Sequence, residues 1–408
     1  MKKKAVFTIC AKNYLAQALT LRESVLNKNS DVDFFLVLAD KVTEEIADLD
    51  VSQLDVSWCP DWVSMAFKYH VIEFSTSVKP FFISKLFKDG YEKVMYLDPD
   101  IYVTSSLDYV WDELNSCSIM LTPHYNNIET NYTGAVTEEE LLFVGIYNLG
   151  YCAIKNDSVG NKIAEWWCNR LHWKCYADHT DALHVDQRWI DFVPGFFPKE
   201  TLISHHFGIN VAIWNLHERE LLVENDKYFV KDLATGEKFP LLCFHFSGFD
   251  PFNNKLINRR HPRFGVDSFP SFEKIIEEYR TLEYKNGYDK YSKLKYSFNK
   301  FSNGKSILPI HRRIYRTLLD EYKEIDPFDS SSSLYKKFEH AGMFIESDVD
   351  FSLAVPRSVG DRSGRKGMLI RKMAKVFCKI VGFKRYYLLL QFLPKFARYE
   401  NQDFLLKR

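Results

Sequence analysis

The sequence predicts a doubly wound α/β domain with a C-terminal helical extension, and three observations carry that prediction. Short apolar runs alternate with helical patterns from the N-terminus to about residue 100, an order that builds a sheet covered by helices on both faces. The runs are nearly continuous, as in Asp33–Ala39 (DFFLVLA) and Lys93–Leu97 (KVMYL), so neither face of these strands meets water. Of 408 residues, 46% are hydrophobic and 26% charged, which excludes wholesale disorder and allows a large core.

Val6–Cys10 reads as the first strand, and Tyr14–Leu26 as a helix with Leu15, Ala18, Leu19, Val25 and Leu26 at helical spacing. Asp33–Ala39 is the second strand, Glu44–Leu49 a short helix and Val56–Cys59 a third strand. Lys79–Lys88 is helical, Gly90 stops it, and Lys93–Leu97 is the next strand. Strands of this kind, joined by helices, point to a parallel sheet whose ligands bind beyond the carboxyl ends. Phe272–Tyr284 is again helical, and the stretch beyond it is rich in Lys, Tyr and Ser. The organisation expected is therefore a main domain over 1–272, linker and small helical elements over 273–361, and a tail over 362–408.

The apolar run after Met1-Lys2-Lys3-Lys4 stops at Lys12, a strand length and too short for a secretory signal. No uncharged apolar stretch approaches the roughly 18 residues that cross a bilayer. A cytoplasmic protein is expected, its 8 cysteines free thiols. Cys168, His172, Cys175 and His179 are zinc-type ligands, but their spacing is not a usual zinc pattern, and Ile163–His179 also reads as an amphipathic helix.

The formal net charge of zero hides an asymmetry: residues 362–408 hold 13 basic and 2 acidic side chains, the rest 41 and 52. In the tail Leu369, Val376, Phe377 and Ile380 interleave with Arg371, Lys372, Lys375 and Lys379. That pattern suits a helix lying on an anionic membrane, so a peripheral site on the cytoplasmic face is expected. Docking on the protein body is the alternative; nucleic acid is not an expected partner.

Chemistry is first legible where Lys93–Leu97 runs into Asp98-Pro99-Asp100. Residues i and i+2 of an extended chain point the same way, so both carboxylates can face one hard cation, Mn²⁺ or Mg²⁺. Such a pair is usually a solvated turn; its position at the end of a buried strand argues for a partner.

With the segments that follow, the order of motifs resembles glycosyltransferases of the GT-A fold, nearest to family 8 and its bacterial polysaccharide and lipopolysaccharide relatives. Val6–Tyr14 (VFTICAKNY) resembles the opening strand and the turn that holds the nucleotide. Tyr96-Leu97-Asp98-Pro99-Asp100 resembles the metal motif, Tyr147–Ile154 (YNLGYCAI) the segment lining the donor sugar, and Asp186-Gln187 the segment beside the anomeric centre. Phe244-His245-Phe246-Ser247-Gly248 resembles the motif whose His binds the metal. The likeness covers roughly residues 5–265 in order, and each motif alone is weak.

The resemblance implies a mixed doubly wound sheet and a retaining, metal-dependent transfer from a nucleotide-sugar donor, UDP-sugar by default. The acceptor implied is a saccharide or lipid-linked saccharide of surface polysaccharide biosynthesis. It implies metal ligation by Asp98, Asp100 and His245, and catalytic roles for Asp186 and Gln187. Donor contacts are expected from Thr8, Cys10, Ala11, Asn13, Tyr14, Lys79, Asp98, Asn148, Gly150 and Gly248. The family's diphosphate-gripping Lys is missing after Gly248, where Phe249-Asp250-Pro251 follows, so Arg259 and Arg260 are expected to supply that charge. Each assignment has a plainer alternative: Asn148 as a turn residue, His245 as a core histidine, and Asp186-Gln187 as a helix cap. A non-catalytic carbohydrate-binding scaffold and a nucleotidyltransferase are the competing functions. The latter wants a Gly-rich basic loop after the first strand, and Cys10-Ala11-Lys12-Asn13 is not one.

Overall fold

Strand β1 (Lys4–Cys10) is buried from Ala5 onward, because its run of apolar side chains finds sheet neighbours on both edges and helices on both faces. The computed structural model describes residues 3–128, 137–252, 270–345 and 365–406. The remaining strands, in chain order, are β2 (Val32–Leu38), β3 (Ser52–Gln53), β4 (Lys93–Leu97), β5 (Ile101–Val103), β6 (Ile119–Leu121) and β7 (Tyr151–Lys155). They continue as β8 (Thr201–Ile203), β9 (Val211–Ala212), β10 (Arg219–Glu224), β11 (Lys227–Asp232), β12 (Lys238–Pro240) and β13 (Cys243–His245).

The main sheet has the order β3-β2-β1-β4-β7-β6-β8. β1 runs parallel to both β2 and β4, whereas β7 is antiparallel to β4 and β6. The sheet is therefore mixed, as the family resemblance implies, and the parallel sheet read from the apolar runs holds for β1, β2 and β4 but not for β7. A strand covered on both faces is continuous in apolar character whichever way it runs, so the pattern is blind to direction. Below the strand tips, Val6, Met95, Leu97, Ile101, Trp111 and Tyr151 share one core. Each such side chain contributes on the order of 1.5–3 kcal/mol by leaving water, which holds the end of β4 in place.

Two further expectations are corrected. Residues 56–59 form a turn rather than a strand: Asp55 accepts from Ser57 N with its carboxylate (2.8 Å) and from Cys59 N with its carbonyl (2.9 Å). Those amides are thereby taken from any ladder, and the edge strand forms earlier, at β3. The helix expected over Glu44–Leu49 shortens to a 3₁₀ turn, Glu44–Ile46.

The chain divides into two units, Met1–Trp62 with Val71–Ser297, and Val63–His70 with Phe298–Arg408. The first unit runs past residue 272 because the helix Glu273–Lys285 buries Ile275, Ile276 and Tyr279 in a core shared with Phe244, Phe246 and Phe249. In the second unit, the small helices Pro309–Thr317 and Ser333–His340 surround buried Phe67, Phe298, Phe301, Tyr315 and Phe338. Arg312 organises this unit: its guanidinium, 4% exposed, donates to the carbonyls of Ala66, Phe67, Tyr69 and Phe298. The tail forms helices Arg365–Val381 and Phe383–Phe396. No helix among the described residues is long and apolar enough to cross a membrane.

Candidate active site

β4 ends at Leu97, and the next three residues turn the chain back into β5. Asp98 N donates to Gly150 O (2.8 Å) and Ile101 N to Asp98 O (3.0 Å), so the turn is tied both to itself and to the start of β7. β13 then pairs antiparallel with β5, placing His245 opposite Ile101, and Phe246 N donates to Asp100 O (2.8 Å). This pairing brings an imidazole 145 residues downstream to the two carboxylates.

His245 Nε2 lies 3.1 Å from Asp100 Oδ1 and 3.7 Å from Asp98 Oδ2. One ligand atom from each of the three residues falls within 4.8 Å of the others, the one such group among the described residues. Tyr96 donates its hydroxyl to Asp98 Oδ1 at 2.6 Å. Burial raises the Asp98 pKa first of all, with Lys79 and His245 pulling it back, although 30% of the side chain still reaches solvent.

The orientation of His245 is set behind the ring. Asn210 Oδ1 lies 3.1 Å from Nδ1, which makes Nδ1 a hydrogen-bond donor and turns Nε2 toward the carboxylates. Asn210 Nδ2 in turn donates to Asn148 Oδ1 (3.0 Å), and Asn148 Nδ2 donates to His124 Nε2 (3.2 Å). His124, whose pKa burial lowers to about 4, is neutral and donates from Nδ1 to Ile146 O (2.9 Å). Gly150 completes the arrangement by having no side chain: a Cβ there would sit 2.5 Å from His245 Cε1.

A cavity of about 120 Å³ opens beside Asp100, lined also by Asn13, Tyr14 and Gly248. Four residues expected from three separate motifs thus meet at one place. Gln17, Glu283, Tyr288 and Ser292 share the lining, and sequence reasoning missed them. Glu283 is 1% exposed and its carboxyl pKa is pushed up to about 8, chiefly by burial and then by Asp100. In sequence it is one acid among several in a charged helix, and nothing marks it.

Other expected residues stand elsewhere. Lys79, 1% exposed, gives its ammonium to the Asp186 carboxylate and to Leu149 O (2.7 Å), over the Tyr96 ring. Asp186 occupies the N-cap position before the helix Gln187–Ile190, but its side chain makes no capping bond. Burial raises its pKa and Lys79 opposes that shift. Gln187 accepts from Leu149 N (3.0 Å) and donates to Val144 O (2.8 Å). Lys79, Asp186 and Gln187 together therefore clamp the chain around Leu149, next to Asn148 and Gly150. Thr8, Cys10 and Ala11 are buried along the end of β1, and burial pushes the Cys10 thiol up. Arg259 and Arg260 lie outside the described residues.

The Cys/His series is dispersed among separate partners. Cys168 is 3.8 Å from Ser84 Oγ, His172 is 3.0 Å from Asp61, and His179 stacks on Phe143. Cys175 donates to Glu73 O at 3.3 Å.

With this geometry in view, comparison gives a mixed result: no family model and no curated protein matches the chain. Solved glycosyltransferases are similar to it. The galactosyltransferase LgtC, solved in complex with donor and acceptor sugar analogues, is 17% identical over 69% of this chain and 95% of that one, with a TM-score of 0.42. The bifunctional glycosyltransferase WbbM is 15% identical over 70% of this chain and 52% of that one, at a TM-score of 0.39. The glycosyltransferase GlyE of Streptococcus pneumoniae TIGR4 is 15% identical over 74% and 67%, at 0.37.

Proposed function

We propose that the protein is a metal-dependent glycosyltransferase that takes a sugar from a nucleotide-sugar donor, a UDP-sugar by default. The observation that carries this reading is the convergence of Asp98, Asp100 and His245 beside a cavity lined by Asn13, Tyr14 and Gly248. Two carboxylates and an imidazole with its Nε2 turned inward fit a hard divalent cation. Mn²⁺ or Mg²⁺ held there would neutralise the diphosphate as it leaves, without proton transfer.

The chain's own residues supply the rest. Tyr96 holds Asp98 through its hydroxyl, and Asn210 holds His245, so the ligand atoms are oriented before donor arrives. Asp186 and Gln187 keep the segment beside Gly150 against the metal-binding turn, through Lys79 and Leu149. That role is positional, and it suits a site whose transition state is stabilised by pre-oriented polar groups. Retention of configuration follows from the family resemblance and belongs to the same proposal.

For the acceptor we infer a saccharide carried on or near an anionic membrane at its cytoplasmic face. The tail supports this: Leu369, Met373, Val376 and Ile380 are all at least 57% exposed along one helix, with exposed Lys372, Lys375 and Lys379 beside them. Apolar side chains left in water next to basic ones are what an interfacial helix requires.

Thermal-shift measurements with UDP-, GDP- and CMP-sugars, with and without Mn²⁺, test the donor site. Stabilisation by one nucleotide that needs Mn²⁺, and its loss in Asp100→Ala, is the expected result; no response from any nucleotide refutes the reading. Sedimentation with phosphatidylserine vesicles tests the tail, where Lys372→Glu with Lys375→Glu and Lys379→Glu should abolish binding.

A further inference from the structure

Three polar atoms near the Asp100 cavity are buried with no well-aligned hydrogen bond among the described residues: Gln17 Oε1, Tyr279 OH and Glu283 Oε2. Their residues are 8%, 0% and 1% exposed. Gln17 and Tyr279 both reach the Glu283 carboxyl and lower its pKa by side-chain hydrogen bonding, against the larger effect of burial, so the three groups form one loosely bonded cluster. Buried polar groups are normally paired, and an orphan in a cavity wall asks what completes it. Gln17 and Glu283 both line the cavity itself.

The remaining lining says what kind of group would complete them. Tyr14, Phe246, Phe249 and Tyr288 present ring surfaces, while Asn13 and Ser292 add an amide and a hydroxyl. Among the described residues of the lining, Asp100 and Glu283 are acids and none is Lys or Arg. A volume of about 120 Å³ is well below the roughly 300 Å³ at which pockets for larger ligands begin, and it has room for one ring. Aromatic residues set among groups that donate and accept, in a lining more polar than apolar, describe a site for a ribose or the polar edge of a nucleobase.

Resting on the donor-site reading above, we propose that Glu283, with Gln17 beside it, contacts the nucleoside moiety of the donor. The helix Glu273–Lys285 then belongs to the donor site and not only to the core. The carboxyl and the amide can offer a donor and an acceptor to a hydroxyl pair or a base edge, which makes this pair specificity-determining.

Calorimetric titration of the full chain with uridine, cytidine, adenosine and guanosine, and separately with Mn²⁺ alone, tests the proposal. Glu283→Ala and Gln17→Ala are each expected to weaken the preferred nucleoside about tenfold or more while leaving Mn²⁺ affinity within about twofold. Glu283→Gln keeps the size and hydrogen-bonding capacity of the group, and should recover binding or alter the choice of base. Wild-type affinity and base preference in both alanine variants would overturn the proposal. If Glu283→Ala does not fold, Gln17→Ala on the other helix and Glu283→Gln decide between the same two results. Failure of the wild type to bind any nucleoside or nucleotide sinks the donor-site reading itself, a different outcome from binding that ignores Glu283.

Discussion

Asn210 accepts a hydrogen bond from His245 at 3.1 Å, and through that one contact decides which imidazole nitrogen faces Asp98 and Asp100. Partners behind a ligating histidine are typically worth 10–100-fold in metal affinity. Asn210→Gly, which tolerates the left-handed backbone at this position (φ 52°), is expected to weaken Mn²⁺ binding by about that factor. Asn210→Asp keeps the acceptor for Nδ1 but sets a second acceptor against Asn148 Oδ1, so it should bind Mn²⁺ more tightly than Asn210→Gly and less tightly than the wild type. Titration calorimetry with Mn²⁺ reads both; unchanged affinity in Asn210→Gly would show that the ring is held by something else.

Gly150 is the second constraint on that ring. A Cβ there would meet His245 Cε1 at 2.5 Å and Nδ1 at 2.8 Å, separations that force the imidazole to move. Gly150→Ala should lose at least about tenfold in Mn²⁺ affinity. Gly236→Ala is the control: its Cβ meets nothing within 4 Å and only its φ of 77° is strained, costing about 1–2 kcal/mol of stability. If both variants bind the ion equally well, the steric argument is wrong.

Lys79 and Asp186 are a buried pair, 1% and 2% exposed. Removing one partner leaves an uncompensated charge, so Lys79→Met should destabilise the protein by about 3–5 kcal/mol. Lys79→Met combined with Asp186→Leu should recover much of that loss, because an apolar pair has no desolvation to offset. Urea denaturation provides the measurement, and a Lys79→Met midpoint equal to the wild type would contradict the pairing.

In the second unit His311 accepts from Leu308 N at Nδ1 and donates from Nε2 to Met343 O. Burial lowers its pKa from 6.5 to about 4. On acidification the unfolded chain takes up this proton first, so the stability held above pH 6.5 is lost progressively as pH falls toward 4. At about 1.4 kcal/mol for each pKa unit, the loss has a ceiling of roughly 3 kcal/mol. Melting curves between those pH values should be flatter for His311→Gln than for the wild type; parallel curves would remove His311 from the explanation.

How far the site was legible depends on the range of the contact. Asp98 and Asp100 could be read because both sit in one extended segment at the end of an apolar run, where local spacing sets geometry. His245 was legible only as a motif, since its approach depends on β13 choosing β5 as its neighbour. Asn210 and His124 carried no signal: they act through partners 35 and 24 residues away, and an Asn in a loop looks like any other turn residue. The absent Val56–Cys59 strand has a local cause that was legible in principle, since Asp55 two residues before Ser57 is a turn signal.

Hydrophobic pattern alone settled that the chain would lay strands such as β1, β2 and β4 under helices, because burial on both faces leaves a mark on every residue of a run. It also placed an acidic pair at a strand tip. Only the folded chain decided the direction of β7, the pairing of Lys79 with Asp186 and the arrival of Glu283 beside Asp100. Those outcomes turn on which distant surfaces come to share a core, a property of the packed whole that no window of residues contains.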